Sequence, residues 1–223
     1  MENEKQIAAH EAVKLLGNNM IVGLGTGSTV IYAIEKIAGL VQKGLLIKGV
    51  PTSEKTKALA RQLQIPLLDF KDVTSIDVTI DGADEFTTGL DLIKGGGGAL
   101  FREKLVASIS KKVIIVTDSS KHVHQLGRFK VPVEVVPQAA NYVLQSLKQL
   151  GGTGTLRMQD HTRFVTDQGN HIIDADFGLI NHSKQLAEQL DTITGILEHG
   201  LFINIATHVF MAKGSEVVCF TAL

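Results

Sequence analysis

Short β-branched runs alternate with segments of helical periodicity through the first half of the chain. The strand-like runs lie at 21–25, 46–50, 76–80 and 113–117, and the helical patterns lie at 28–42, 54–64 and 99–110. Such alternation is typical of a parallel sheet with helices on its faces. The run at 113–117 is apolar almost throughout, which indicates a strand buried on both faces. We therefore predict an α/β fold in which ligands bind beyond the carboxyl ends of the strands.

The order of the elements changes after Phe129. Strand, helix, strand, hairpin turn, helix and strand patterns follow at 131–136, 138–150, 153–159, 167–170, 183–190 and 193–204. A β-α-β-β-α-β order is that of a ferredoxin-like unit. The tail then has the pattern of a hairpin that completes the first sheet, with arms at 207–212 and 216–220. The predicted organisation is a first lobe of 1–129 plus 205–223, with a ferredoxin-like α/β lobe inserted at 130–204.

Net charge, cysteine content and the lengths of the apolar runs bear on the partners and the location of the protein. The formal net charge of −1 provides no general attraction to nucleic acid or to an anionic membrane, so we expect neither as a partner. Cys219 is the only cysteine and cannot form an intrachain disulfide. Residues 1–12 have the pattern of a charged helix without an apolar signal core, and the apolar runs are strand-sized. These features predict a cytoplasmic protein.

The first loop that could bind a ligand is 23–29, which leaves a strand and enters a helix. Its glycines expose backbone N–H groups, and Ser28 and Thr29 add hydroxyls at the positive end of a helix dipole, which suits a phosphate. A dinucleotide fingerprint would need a glycine or alanine near Ser28 and an acid after the second strand, and a P-loop would need Gly-Lys-Ser/Thr. The sequence has none of these. A tight turn with a helix N-cap is the alternative interpretation.

The second loop is 81–85, which follows the strand 76–80 and has the sequence DGADE. Carboxylates at the end of a buried strand are costly to desolvate unless they meet polar ligands or cations. Magnesium is one alternative, and a purely structural turn is another. Because the chain shows no ordered set of further ligands, we predict no metal.

The third loop is 94–104, in which four glycines separate Lys94 from a helix that carries Glu103. Glycines before a helix make a flexible loop rich in N–H donors. The run could also be a linker, and Glu103 an exposed helical charge paired with a neighbouring base. A linker should be polar on both sides, whereas this run joins the apolar segment 90–93 to an apolar helix. The loop is therefore a candidate site.

These loops together resemble the ribose-5-phosphate isomerase A family. The resemblance is carried by 23–29, 81–85, 94–104 and the pair Ser120-Lys121 followed by 132–135, in order and with similar spacing. It extends from about Ile21 to the end of the chain. Phe101 stands in a variable slot, and Lys130 stands where the family often has proline. Neither departure falls on an expected catalytic position.

The resemblance implies a Rossmann-like, mostly parallel sheet domain with an inserted ferredoxin-like lobe, a homodimer or dimer of dimers, and no cofactor or metal. It implies a small-molecule sugar phosphate as the substrate. Lys5 is a further cationic candidate near the phosphate. The implied catalytic residues are Glu103, Asp81, Asp84 and Lys94. The implied substrate-binding residues are Thr26, Gly27, Ser28, Thr29, Asp81, Gly82, Ala83, Asp84, Lys94, Gly95, Gly96, Gly97 and Lys121.

The chemistry of an aldose-ketose isomerase fits these residue types. A carboxylate such as Glu103 can take a proton from C2 and return it at C1 if partial burial raises its pKa. Lys94 and the N–H groups of the glycine loop can stabilise an enediolate, while Asp81 and Asp84 orient hydroxyls. A sugar-phosphate sensor, an amino-sugar-phosphate deaminase, a CoA-transferase-like protein and a redox enzyme are the alternatives. Ammonia release, acyl-CoA dependence or nucleotide absorbance changes would identify the last three.

Overall fold

The computed structural model describes residues 3–222. Asn3 caps the first helix by accepting a hydrogen bond from the Lys5 N–H, and Ser53 caps the third by accepting one from the Thr56 N–H. The helices are α1 (Glu4–Val13), α2 (Ser28–Gln42), α3 (Glu54–Gln62), α4 (Leu100–Ser108), α5 (Ala140–Gln149) and α6 (Ser183–Asp191). The prediction for α2 matches its bounds, and the predictions for α3 and α4 extend one or two residues too far.

The strands alternate with these helices as predicted. They are β1 (Met20–Leu24), β2 (Ile47–Pro51), β3 (Val78–Asp81), β4 (Glu85–Phe86), β5 (Leu92–Ile93), β6 (Val113–Asp118), β7 (Val131–Val135), β8 (Thr153–Leu156), β9 (Met158–Gln159), β10 (Thr162–Arg163), β11 (His171–Asp176), β12 (Ile196–His199), β13 (Leu201–Phe202), β14 (His208–Lys213) and β15 (Glu216–Thr221).

The main sheet has six strands in the order β15-β14-β6-β3-β1-β2. All neighbours are parallel except β14 and β15, which form the predicted terminal hairpin. The main apolar core includes residues of α1, α2, β1 and β6. Gly23 lets β1 lie against its neighbours, since a Cβ there would be 2.0 Å from Thr79 Oγ1. The mostly parallel sheet of the prediction is confirmed.

A second sheet has four antiparallel strands in the order β12-β7-β11-β8. With its helices it follows the order β-α-β-β-α-β, and the spatial order 4-1-3-2 is that of a ferredoxin-like unit. Helices α5 and α6 pack on this sheet around Val143, Leu147 and Leu190, which are fully buried.

A three-stranded sheet, β13-β5-β4, combines two strands that lie between β3 and β6 along the chain with one that lies between β12 and β14. The predicted strand 193–204 is therefore two strands: β12 ends at His199, and β13 pairs with β5 instead. Gly200 allows this break, because a Cβ there would lie 2.4 Å from the Lys94 carbonyl oxygen. The single-strand prediction for 193–204 is wrong for this reason. The lobe boundaries themselves remain a prediction.

The predicted hairpin turn at 167–170 is a turn closed by the Thr166 N–H and the Asn170 carbonyl. An extra small hairpin, β9-β10, precedes it and turns at Asp160 and His161, which both have positive φ. Nothing among residues 3–222 forms a helix that is both long and apolar enough to cross a bilayer.

Candidate active site

A cleft opens at the carboxyl ends of β1, β3 and β6, which are neighbours in the main sheet. Its cavity volume is about 110 Å³. The chain segments that follow these strands converge there with the glycine loop that follows β5. The cleft is lined by Lys5, Thr26, Gly27, Ser28, Thr29, Gly82, Ala83, Asp84, Lys94, Gly95, Gly96, Gly97, Glu103 and Lys121.

The loop between β1 and α2 presents the N-terminus of α2 to the cleft. Gly27 is the N-cap of the helix and has φ +123°, a conformation that other residues rarely adopt. Ser28 is exposed, and its Oγ accepts a hydrogen bond from Lys5 Nζ at 3.0 Å. The first N–H groups of the helix, a hydroxyl and an ammonium therefore meet at the positive end of α2, an arrangement that favours an anion.

Hydroxyl groups fix the position of this loop. Thr26 Oγ1 lies 2.8 Å from Thr52 Oγ1, 2.9 Å from Ser53 Oγ and 3.2 Å from Thr56 Oγ1. The Thr56 hydroxyl also donates to the Gly25 carbonyl oxygen at 2.8 Å. The hydroxyl residues of the segment 51–56 were not among the residues predicted from the sequence. The sequence feature that could have indicated this role is the group of Thr and Ser residues after β2, the strand beside β1.

The aspartates after β3 fix the backbone of the other loops. Asp81 Oδ1 accepts hydrogen bonds from the N–H of Thr26 at 3.0 Å and of Gly82 at 2.8 Å. Asp84 Oδ2 accepts one from the Gly96 N–H at 2.7 Å. Asp84 also lines the cleft, whereas Asp81 is 2% exposed and lies outside the lining.

Lys94 is the buried cation around which the site is built. Its Nζ lies 3.0 Å from Asp81 Oδ2 and 3.2 Å from Glu103 Oε2, and it donates to the Gly82 carbonyl oxygen at 2.6 Å. The ring of Phe202 lies beneath it, with 5.3 Å between Nζ and the ring centroid. One ammonium thus serves two carboxyl groups.

Glu103 faces the site because it lies on the buried side of α4. The buried positions of this helix are Leu100, Glu103, Val106 and Ala107. Its Oε2 atom is buried and, apart from the ion pair with Lys94, has no hydrogen-bond partner in the part of the chain that the structure describes. An acid in this position is available to a ligand in the cleft.

Burial and neighbouring charges shift the pKa values of both Lys94 and Glu103. Burial lowers the pKa of Lys94, but the Asp81 and Glu103 carboxylates more than offset this, so that the pKa is raised overall. Burial raises the pKa of Glu103, the Lys94 ammonium opposes that rise, and the Asp81 and Asp84 charges add to it. The result is a pKa of about 8. Lys94 is therefore a fixed cation, and Glu103 can exchange a proton near neutral pH.

The structure brings the sequence-predicted residues together. All of them line the cleft except Asp81, which lies behind Lys94. Lys5 and Lys121 both lie at the cleft, on the side of the α2 N-terminus in the case of Lys5. Arg157 was missed: it follows β8 of the second sheet and donates hydrogen bonds to carbonyl oxygens of the glycine loop. No local motif marks it.

One group of three potential metal ligands occurs among residues 3–222, namely Asp191, Glu198 and His199. Glu198 already pairs with Lys104, and His199 Nε2 bonds with Asp191 at 3.0 Å. Glu198 is therefore already paired with a cation of the chain itself. None of the three lines the cleft.

Comparisons with known proteins agree with this architecture. The family model described as Ribose 5-phosphate isomerase A (phosphoriboisomerase A) matches residues 48–216. Proteins named Ribose-5-phosphate isomerase A are similar: one from Sphingopyxis alaskensis is 48% identical (96% of this chain, 94% of the relative), and one from Bacillus mycoides is 47% identical (97% and 99%). A solved D-ribose-5-phosphate isomerase in complex with phospho-erythronic acid is 38% identical, with a TM-score of 0.95 over 98% of this chain and 97% of that chain.

Proposed function

This chain belongs to the ribose 5-phosphate isomerase A family, and from that premise we propose that it interconverts D-ribose 5-phosphate and D-ribulose 5-phosphate through an enediolate. The observation that carries the proposal is the placement of Glu103. Its buried carboxyl has a pKa of about 8 and lies 3.2 Å from a buried lysine, in a cleft that the N-terminus of α2 also lines.

The phosphate end of the substrate fits the α2 N-terminus. The N–H groups and hydroxyls of 27–29 supply donors, and Lys5 and Lys121 supply positive charge at the same cleft. Binding a group remote from the reacting carbons fixes the open chain in place for proton transfer. The solved relative that holds phospho-erythronic acid supports a phosphorylated sugar derivative as the ligand class.

The reacting end fits Glu103 and Lys94. In its ionised form Glu103 removes the C2 proton of the open-chain aldose, the electron pair moves to the carbonyl oxygen, and an enediolate forms. The protonated Glu103 then delivers the proton to C1 while the O2 proton moves to O1, which gives the ketose. Lys94 stabilises the enediolate oxygen, and a well-placed donor of this kind lowers the barrier by about 3 kcal/mol.

The two aspartates have different proposed roles. Asp84 lines the cleft with its backbone contact made by one oxygen, so it can orient a sugar hydroxyl and pass protons during ring opening. Asp81 lies behind Lys94 and orients its ammonium. Asp81 therefore acts on the substrate through Lys94 and through the Thr26 backbone that it also holds.

The family resemblance also supports proposals about assembly, location and metabolic role. We propose a homodimer or a dimer of dimers, a cytoplasmic location, and a place among the non-oxidative reactions of pentose phosphates. No cofactor or metal enters the proposed reaction. Sedimentation of the purified protein tests the assembly, and activity in the presence of EDTA tests the absence of a metal requirement.

The function is tested by direct measurement of ribulose 5-phosphate formed from ribose 5-phosphate. We expect turnover by the wild-type chain, unchanged by EDTA, and a loss of kcat of at least about 10²-fold in Glu103→Gln. Glu188→Gln is the matched control, because Glu188 is an exposed glutamate of α6. A wild-type protein that releases ammonia from glucosamine 6-phosphate but forms no ribulose 5-phosphate would make it a deaminase instead.

A further inference from the structure

The glycine loop of the cleft is held from outside by Arg157, which lies between β8 and β9. Arg157 Nη1 donates to the carbonyl oxygens of Gly95 at 3.0 Å and Gly96 at 3.1 Å. Its Nε donates to Asp174 Oδ2 at 3.1 Å, and its Nη2 pairs with the other oxygen of the same carboxylate. The guanidinium therefore has a fork-shaped partner on one side and two backbone acceptors on the other.

The surroundings of Arg157 fix its orientation. Its side chain is 14% exposed, and its Cζ lies 5.8 Å from the centroid of the Phe164 ring. Phe164 in turn fills the space beside Gly98, where a Cβ would lie 2.3 Å from the ring. A planar guanidinium held by a bidentate carboxylate and an aromatic face loses little additional freedom when it bonds a third group.

The geometry of a trans peptide transmits this constraint to the cleft. The C=O and N–H of one peptide unit are coplanar and point in opposite directions. The carbonyl of Gly95 shares its peptide plane with the Gly96 N–H, and the carbonyl of Gly96 shares its plane with the Gly97 N–H. With both carbonyls turned to Arg157, both N–H groups point away from it. The Gly96 N–H bonds to Asp84, whereas the Gly97 N–H has no hydrogen-bond partner among the described residues.

We propose that Arg157 is a positioning residue for the isomerase reaction: with Asp174 it fixes the peptide planes of the glycine loop so that the free Gly97 N–H is a donor for the reacting end of the sugar. Gly97 lines the cleft together with Asp84 and Glu103. The inference rests on the proposed function and deepens it. It makes the second sheet a working part of the active site, acting through backbone rather than through contact with substrate.

The test uses wild type, Arg157→Met, Arg157→Lys and Asp174→Asn, with Arg163→Met as the matched control because Arg163 is an exposed arginine of the neighbouring strand β10. We expect kcat for ribose 5-phosphate to fall about 10- to 100-fold in Arg157→Met, the range found when a group that orients a functional residue is removed. Arg157→Lys and Asp174→Asn should lie between Arg157→Met and wild type. The control should keep the wild-type rate.

Inorganic phosphate separates positioning from general damage, because it reports only on the phosphate end of the cleft. We expect its competitive inhibition constant to stay within about twofold of wild type in Arg157→Met. A fall in kcat that is matched by loss of phosphate inhibition would overturn the proposal, as would a kcat within twofold of wild type. If wild type itself does not isomerise ribose 5-phosphate, the proposed function has failed rather than this inference.

Chemical rescue keeps the proposal testable if the methionine variant folds poorly. In Arg157→Ala, added guanidinium at millimolar concentration should restore part of kcat by occupying the space between Asp174 and the loop carbonyls. The same addition should leave the wild-type rate unchanged. A folded alanine variant with low kcat that guanidinium does not raise would argue against an orienting role for the guanidinium group.

Discussion

Glu103→Gln tests the electrostatics of the site in the absence of any substrate. Lys94 lies within ion-pair distance of two buried carboxyls, but one ammonium balances only one full negative charge. Burial and the neighbouring Asp81 charge consequently raise the pKa of Glu103 from 4.5 to about 8, although Lys94 opposes the rise. The ligand-free protein at neutral pH therefore holds Glu103 mostly protonated. Glutamine copies the shape of that neutral carboxyl.

The sign of the pH dependence follows from proton binding. Between pH 4.5 and about 8 the folded state holds a proton on Glu103 that the unfolded chain has released. The stability contributed by this group is therefore complete below pH 4.5 and is lost as the pH rises towards 8. At 1.36 kcal/mol for each pH unit, the full interval corresponds to about 5 kcal/mol. Glutamine does not titrate, so the variant escapes this loss.

The expected result is a change in the free energy of unfolding of Glu103→Gln relative to wild type. The difference should grow in favour of the variant by about 2 to 5 kcal/mol between pH 5 and pH 8.5. Urea denaturation followed by circular dichroism at several pH values measures it. Glu188→Gln, at an exposed helical position, should keep the wild-type pH dependence. A difference that is constant with pH, or that shrinks as the pH rises, refutes the reasoning.

Further substitutions test separate parts of the structure by urea denaturation. Lys94→Met leaves buried carboxyls without their cation and should cost about 3 to 5 kcal/mol at pH 8.5, while Lys111→Met, which removes a surface ion pair, should cost at most about 1 kcal/mol. Gly25→Ala should cost several kcal/mol, because its Cβ would lie 2.2 Å from a buried carboxylate oxygen, whereas Gly39→Ala, in open space within α2, should stabilise by about 0.5 to 1 kcal/mol. Burial and the charge of a neighbouring lysine lower the pKa of His199 to about 4, so wild type should lose stability between pH 6.5 and 4, and His199→Asn should remove that loss.

Periodicity was sufficient to predict the centre of the main sheet because its central strands, β3 and β6, are buried along nearly their whole length. An almost wholly apolar run such as 113–117 is typical of a strand that is buried on both faces. Parallel strands share one carboxyl edge, so the loops after β1 and β3 could be expected to meet. The same reasoning failed at 193–204, since Gly200 changes the pairing partner of the strand, and pairing is a property of the tertiary structure rather than of the segment.

The residues alone left Glu103 open between an exposed charge paired with a neighbouring base and a site residue, and the family resemblance assigned it the catalytic role, although its place in the helix also bears on its burial. It lies three residues after Leu100 and four before Ala107, which places all three on one face of α4. An acid on an otherwise apolar stripe is costly unless it has a partner or a function. The sequence alone does not show which cation faces it, because Lys94, Arg102 and Lys104 are all near it along the chain.

In the structure, the ion-pair partners of the three bases show which of them faces Glu103. Arg102 turns outward to Glu54, and Lys104 pairs with Glu198, so each of these bases is already neutralised by a partner outside the cleft. Lys94 alone of the three faces Glu103, and it shares its charge with Asp81. Because Lys94 shares its charge with Asp81, it balances the charge of Glu103 only in part. The arrangement that holds the ammonium in place therefore also lets the Glu103 carboxyl gain or lose a proton near neutral pH. The choice of ion-pair partners, and not only the presence of a glutamate, thus makes α4 suited to proton transfer.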